Sequence, residues 1–167
     1  MASQCWRMLL SASLLLISLP SLALEAPTGQ VILEITGRIG ATNTQTEAHF
    51  DRDMLEALPQ HSVITGQPWI DGQSTFEGPL LRDVMQAVDA QGETMSVQAI
   101  RDYKADIPLS DAQDHDVILA LVRDGAPMRI RDKGPLFVIY PFDEHPELKT
   151  NIYYSRSVWQ VARIEVR

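Results

Sequence analysis

Val31, Leu33 and Ile35 alternate with polar or small residues, and Gly37 and Gly40 end the run. A period of two predicts a half-buried strand. Residues 41–48 are polar and read as a loop. Asp51 is placed to cap a short helix through Met54, Leu55 and Leu58, which Pro59 closes. His61 to Thr65 reads as a short strand. Gln67 to Thr75 reads as loop, because Pro68, Asp71 and Gly72 are turn residues. Pro79 to Ala90 carries the clearest helical pattern. Leu80, Leu81, Val84 and Val88 fall on one face, Pro79 suits the first helical position, and Gly92 suits the stop.

Beyond that helix the chain reads mostly as strand. Met95 to Arg101 alternates. Asp116 to Arg123 and Met128 to Arg131 flank Asp124-Gly125, a hairpin turn signal. Pro135 to Pro141 is continuously apolar, as a strand buried on both faces would be. Glu144 to Asn151 reads as loop, and Val158 to Val166 alternates again. No repeat, low-complexity tract or linker interrupts the pattern. The expected fold is a single α+β domain, mixed and mostly β, with one or two main helices.

Residues 1–23 follow a different rule. Arg7 is the segment's one charge, Met8 to Leu19 is apolar or small, and Ser21-Leu22-Ala23 has the form of a cleavage site. These features predict a signal peptide over 1–23, with the domain spanning 24–167. An uncleaved membrane anchor is the weaker alternative, since the apolar stretch is short. No Arg-Arg pair signals twin-arginine export, so the expected location is the periplasm, reached by the general secretory route. The chain's one cysteine, Cys5, lies in this segment. A domain starting near Leu24 therefore has no disulfide, thiolate metal ligand or cysteine nucleophile. Net charge of −8 argues against general nucleic-acid binding. No other apolar run approaches the ~20 residues of a membrane span.

Phosphate-loop, dinucleotide and serine-hydrolase motifs are absent. His49, Asp51 and Asp53 resemble a ligand cluster but suit a solvated helix start better. Trp69 and Asp71 offer a ring and a carboxylate on a loop; core packing and an Asx turn explain them equally well. The cations from Arg123 to Lys133 could bind an anion, although Asp124 and Asp132 can neutralise them as surface pairs. Tyr153, Tyr154, Arg156 and Trp159 could line a pocket or pack in the core.

Phe76-Glu77-Gly78-Pro79-Leu80-Leu81-Arg82-Asp83-Val84 resembles the helix start of the oxidoreductase molybdopterin-binding domain, the sulfite-oxidase-like family. Asp102-Tyr103 with Ile107-Pro108-Leu109, Leu119-Ala120 with Asp124-Gly125-Ala126-Pro127-Met128, Gly134-Pro135 through Pro141, and the strand Val158 to Val166 follow in the family's order. The resemblance runs from about His61 to Arg167. It implies a mixed α+β domain that holds a molybdopterin cofactor, with one cysteine thiolate on the molybdenum. That thiolate would fall near Thr65-Gly66, where no cysteine stands.

Two functions follow. The first is an exported binding or accessory protein on this fold, without molybdenum redox catalysis and with no cofactor. It would present a small ligand to a membrane-bound sensor or redox partner. Its pocket would draw on Thr65, Trp69, Asp71, Asp102, Tyr103, Arg129 and Tyr154. The alternative is a molybdopterin-dependent oxidoreductase with a non-cysteine ligand set.

Overall fold

Asp51 starts a helix, as its position predicts. One carboxylate oxygen accepts from the Met54 N–H at 2.9 Å, and the other accepts from Thr28 and Gly29. These backbone donors, Met54 foremost, hold its carboxyl below the usual range. The cap thereby ties the start of the domain to its first helix.

The structure is a computed structural model and describes residues 24–167. The signal-peptide expectation for residues 1–23 lies outside the described residues. In chain order the elements are β1 (Leu33–Gly37), β2 (Ala48–Phe50), α1 (Arg52–Glu56), β3 (Gln60–Gln67), β4 (Ile70–Pro79), α2 (Leu81–Ala87), β5 (Thr94–Ala99), β6 (Lys104–Pro108), α3 (Leu109–Asp114), β7 (Ile118–Ala120), β8 (Val122–Arg123), β9 (Ala126–Pro127), β10 (Phe137–Ile139), α4 (Asn151–Arg156) and β11 (Val161–Val166). The result is one α+β domain dominated by strands, with short helices. No helix among the described residues is long and apolar enough to cross a membrane.

Three sheets form. The largest runs β2-β1-β11-β5-β6, with β1 and β11 parallel and the other pairs antiparallel. A second runs β3-β4-β8-β9, and β7 pairs with β10 as a third. The β7–β10 pair is the middle layer of the molecule. Its odd and even residues face different cores. Leu119 and Val138 join the large core of the five-stranded sheet, while Ile118, Ala120, Phe137 and Ile139 join Val63 and Phe76 of the β3–β4 hairpin. All six of these β7 and β10 residues are fully buried. The apolar run from Pro135 is thus a strand buried on both faces, as its sequence predicts.

Four expectations need correction. Ile70 to Thr75 is strand rather than loop: it pairs along β3 through a register shift that accommodates the Asp71-Gly72 turn residues. Pro79 ends β4 rather than starting the helix, which begins at Leu81 and is shorter than expected. The preceding glycine explains this: a Cβ on Gly78 would overlap the Leu119 carbonyl, so β4 runs against β7 right up to the helix. Met128 to Arg131 is not strand but leads into a 3-10 turn over Ile130–Asp132. Asn151, read as the end of a polar loop, instead starts a helix that runs to Arg156.

Candidate functional site

The hairpin of β3 and β4 supplies one wall. Val63, Thr65 and Gln67 alternate inward and are buried. Pro68 and Trp69 turn the chain at the tip. Past them, the loop after β10 brings Asp143 to the hairpin. Its Oδ2 accepts from the Gly66 backbone N–H at 2.7 Å and from Gln73 Nε2 at 2.9 Å, and its Oδ1 accepts from Lys149 Nζ at 2.5 Å. Lys149 foremost, then Gln73 and Gly66, pull the Asp143 carboxyl down to about 2. It is therefore an anion at any physiological pH.

Between the hairpin tip and this loop lies a groove of about 420 Å³, lined by Gly66, Gln67, Ile70, Phe142, Asp143 and Tyr154, among others. Gln67 is 6% exposed, and neither its amide nitrogen nor its amide oxygen has a hydrogen-bond partner. Leaving such a group unmatched costs roughly 1–3 kcal/mol. Buried polar groups without partners are rare enough to require a reason, and a ligand is one.

An aromatic cluster adjoins this wall, with Trp159 as its hub. Trp69 meets Trp159 edge-on at 4.9 Å between ring centroids, and meets Tyr154 at 6.5 Å. Tyr103 lies parallel to Trp159 at 6.4 Å, and its hydroxyl donates to the Ser155 carbonyl at 2.7 Å. The Lys133 ammonium sits 4.4 Å from the centre of the Trp159 ring, a cation–π contact. Tyr154 also packs edge-on against Phe142 at 5.0 Å, which joins the cluster to the groove.

The residues singled out from sequence divide accordingly. Trp69, Tyr103 and Tyr154 come together around Trp159. Thr65 lies on the same strand as Gly66 and Gln67, buried, with its hydroxyl donating to the Gly66 carbonyl at 3.3 Å. The other three sit elsewhere. Asp71 is exposed at the irregularity in the hairpin, and Asp102 is exposed in the turn between β5 and β6 at φ 63°. Arg129 pairs with Asp132 at 2.7 Å and lines a separate open basin of about 610 Å³ with Arg123 and Met128. Among the groove's polar side chains, Gln67, Asp143 and Lys149 escaped the sequence reading, as did the ring of Phe142. Only the Pro-Trp turn after Gln67 pointed toward them.

The five-stranded sheet, the buried strand pair and the β3–β4 hairpin define a molybdopterin-oxidoreductase type of fold. Residues 33–143 match the oxidoreductase molybdopterin binding domain, and the chain belongs to that family. Among solved structures it resembles the sulfane dehydrogenase SoxCD from Paracoccus pantotrophus, with a TM-score of 0.61 and 15% identity. The match covers 86% of this chain and 40% of that one. The chain thus spans less than half of that protein, and at this identity the likeness establishes the fold alone. No curated protein matches the chain.

The family binds molybdopterin, so the donors at the expected thiolate position decide whether this groove suits the molybdenum form. They are the Thr65 hydroxyl, Gly66 without a side chain, and the Gln67 amide. No thiolate donor is available, because residues 24–167 contain no cysteine. No group of three His, Cys, Asp or Glu side chains is placed to hold a metal among the described residues. A hydroxyl and an amide are poor substitutes for a soft thiolate. This donor set does not fit a thiolate-held molybdenum.

Proposed function

We propose that this chain is an exported accessory module that binds a small molecule in the groove beside Gln67 and serves a membrane-bound sensor or redox partner. It carries out no molybdenum redox chemistry. One observation carries this reading. Beside the Thr65-Gly66 position where the family resemblance places a metal-binding thiolate, Gln67 lines a groove and carries a buried amide whose donor and acceptor are both unmatched. The apolar leader over residues 1–23, without a twin-arginine pair, supports export in the unfolded state.

The groove chemistry favours a neutral or zwitterionic molecule of metabolite size. Asp143 and Lys149 largely cancel each other, Phe142 and Tyr154 offer flat apolar faces, and the unpartnered Gln67 amide can both give and accept hydrogen bonds. The test is a thermal-shift screen of small amides, amino acids and organic anions, followed by titration of tryptophan fluorescence. Trp69 meets Tyr154 on the groove wall, so binding should change emission. A saturable ligand whose affinity falls at least about tenfold in Gln67→Leu supports the function, as losing a buried hydrogen bond implies. Unchanged affinity in that variant, or no ligand from the screen, counts against it.

The oxidoreductase alternative draws on family membership. It would require molybdenum held without a thiolate, and it predicts metal in the purified protein.

A further inference from the structure

Six large apolar or aromatic side chains are exposed among the described residues: Ile64, Trp69, Ile100, Tyr103, Ile130 and Ile152. Scattered singly they would need no explanation. Five of them lie on segments joined through Trp159 and its neighbours. Trp69 and Tyr103 touch the Trp159 ring directly. Gln160, the next residue, accepts from the Ile100 N–H at 2.9 Å through its carbonyl and donates to the Ile130 carbonyl at 2.6 Å through its side chain. Tyr103 reaches Ser155, whose hydroxyl donates to the Ile152 carbonyl at 2.6 Å. Only Ile64 stands apart.

The charges on this face oppose those of the whole chain. Arg101, Arg123, Arg129, Arg131 and Lys133 lie beside these apolar residues, with Asp71, Asp102, Asp124 and Asp132 as the local carboxylates, in a chain of net charge −8. Arg129 and Arg131 flank Ile130 with side chains 65% and 70% exposed, and both depend on Asp132, at 2.7 and 3.8 Å. One carboxylate cannot saturate two guanidiniums. Trp, Tyr and Arg around an apolar centre are the residues that dominate protein–protein binding energy.

We propose that the face around Trp159 docks a segment of a partner protein in which an apolar or aromatic residue is flanked by carboxylates. The apolar residue packs among Trp69, Tyr103 and Ile130, and the carboxylates take the free donors of Arg129 and Arg131. A lipid surface suits the face less well. Asp102 and Asp132 sit among the apolar residues, where they would meet anionic headgroups. The surface rests on the accessory-module reading and extends it: Trp69 and Tyr154 belong to the aromatic cluster, and Tyr154 also lines the groove, so docking and groove occupancy share side chains.

The test places a photo-crosslinking residue at Ile130, and separately at Ile64, in the full chain within cells that naturally produce it. The expected result is an adduct at position 130 and none at 64, with the linked peptide carrying Asp or Glu beside an apolar residue. Arg129→Glu with Arg131→Glu should cut the adduct by more than about tenfold, as like charges across an interface do. Both side chains are exposed, so the urea midpoint should hold; Ile130→Ser is the second variant, with the crosslinker moved to Ile100. No adduct, an adduct indifferent to charge reversal, or a basic linked peptide overturns the proposal. So does Ile130-dependent sedimentation with phosphatidylglycerol vesicles. Stoichiometric molybdenum would sink the accessory-module reading yet leave this surface standing; loss of the adduct would do the reverse.

Discussion

Asp111 and Asp143 both tie distant segments together, in opposite surroundings. Asp111 is 7% exposed and receives the Tyr140 hydroxyl at 2.8 Å and Arg156 Nη1 at 2.9 Å. Burial, with the Asp111 carboxylate beside it, pushes the Tyr140 phenol well above its ordinary range. Arg156 also lies over the Tyr153 ring at 5.3 Å. The network pins α3, the residue after β10 and α4 to one another, and its Asp111 and Tyr140 are buried. Asp143 also gathers donors from distant segments, but it stands on an open groove beside the unpartnered amide of Gln67. A matched network around a buried carboxylate points to structure. A matched carboxylate next to an unmatched amide points to a place where something binds.

Breaking each member should separate these roles. Asp111→Ala has the largest expected effect: it strands Arg156 and the Tyr140 hydroxyl, and costs roughly 3 kcal/mol in urea denaturation. A loss below 1 kcal/mol would mean that the network is not the staple it is taken for. Gln67→Leu should act in the opposite direction. Removing an unmatched buried amide stabilises the unliganded protein by about 1 kcal/mol while weakening the ligand. Destabilisation in that variant would show that the amide already has a partner.

Asp143→Asn should cost about 1 kcal/mol near neutral pH, through weaker bonds to Lys149 and Gly66. Its carboxyl is lowered from 3.8 to about 2 in the folded chain. The stability it contributes is therefore complete above pH 3.8 and is lost as pH falls toward 2. The variant should lack that portion of the acid loss, which denaturation at a series of pH values would reveal. Arg129→Gln, which removes an exposed pair with Asp132, should change stability by less than about 0.5 kcal/mol. A larger effect would make the basic basin part of the scaffold rather than a free surface.

The division between legible and hidden parts follows sequence distance. Asp51 was legible as a cap because its partner Met54 lies three residues on. The β10 strand was legible because burial on both faces leaves an unbroken apolar run. Helix α4 was not: its six residues carry no apolar stripe, and Tyr153 against Tyr140 and Arg156 on Asp111 hold it from outside. The strand β4 was hidden by turn residues, since Asp71 and Gly72 fall where the hairpin register shifts. At the site, aromatic composition pointed to Trp69, Tyr103 and Tyr154. Asp143 and Gly66 meet across 77 residues, and no local pattern encodes such a meeting. The same distance explains the three that stayed apart. Asp71, Asp102 and Arg129 carry charge that a pocket could use, but each sits at an exposed turn or loop.

The proposed function requires that a groove of this molybdopterin-family fold binds its ligand without molybdenum. Purification of the protein from a molybdenum-replete host, with molybdenum and pterin measured per chain, tests this most directly. The expected content is less than about a few hundredths of an equivalent of molybdenum, as for a site without its soft ligand. Molybdenum and pterin near one per chain would contradict it.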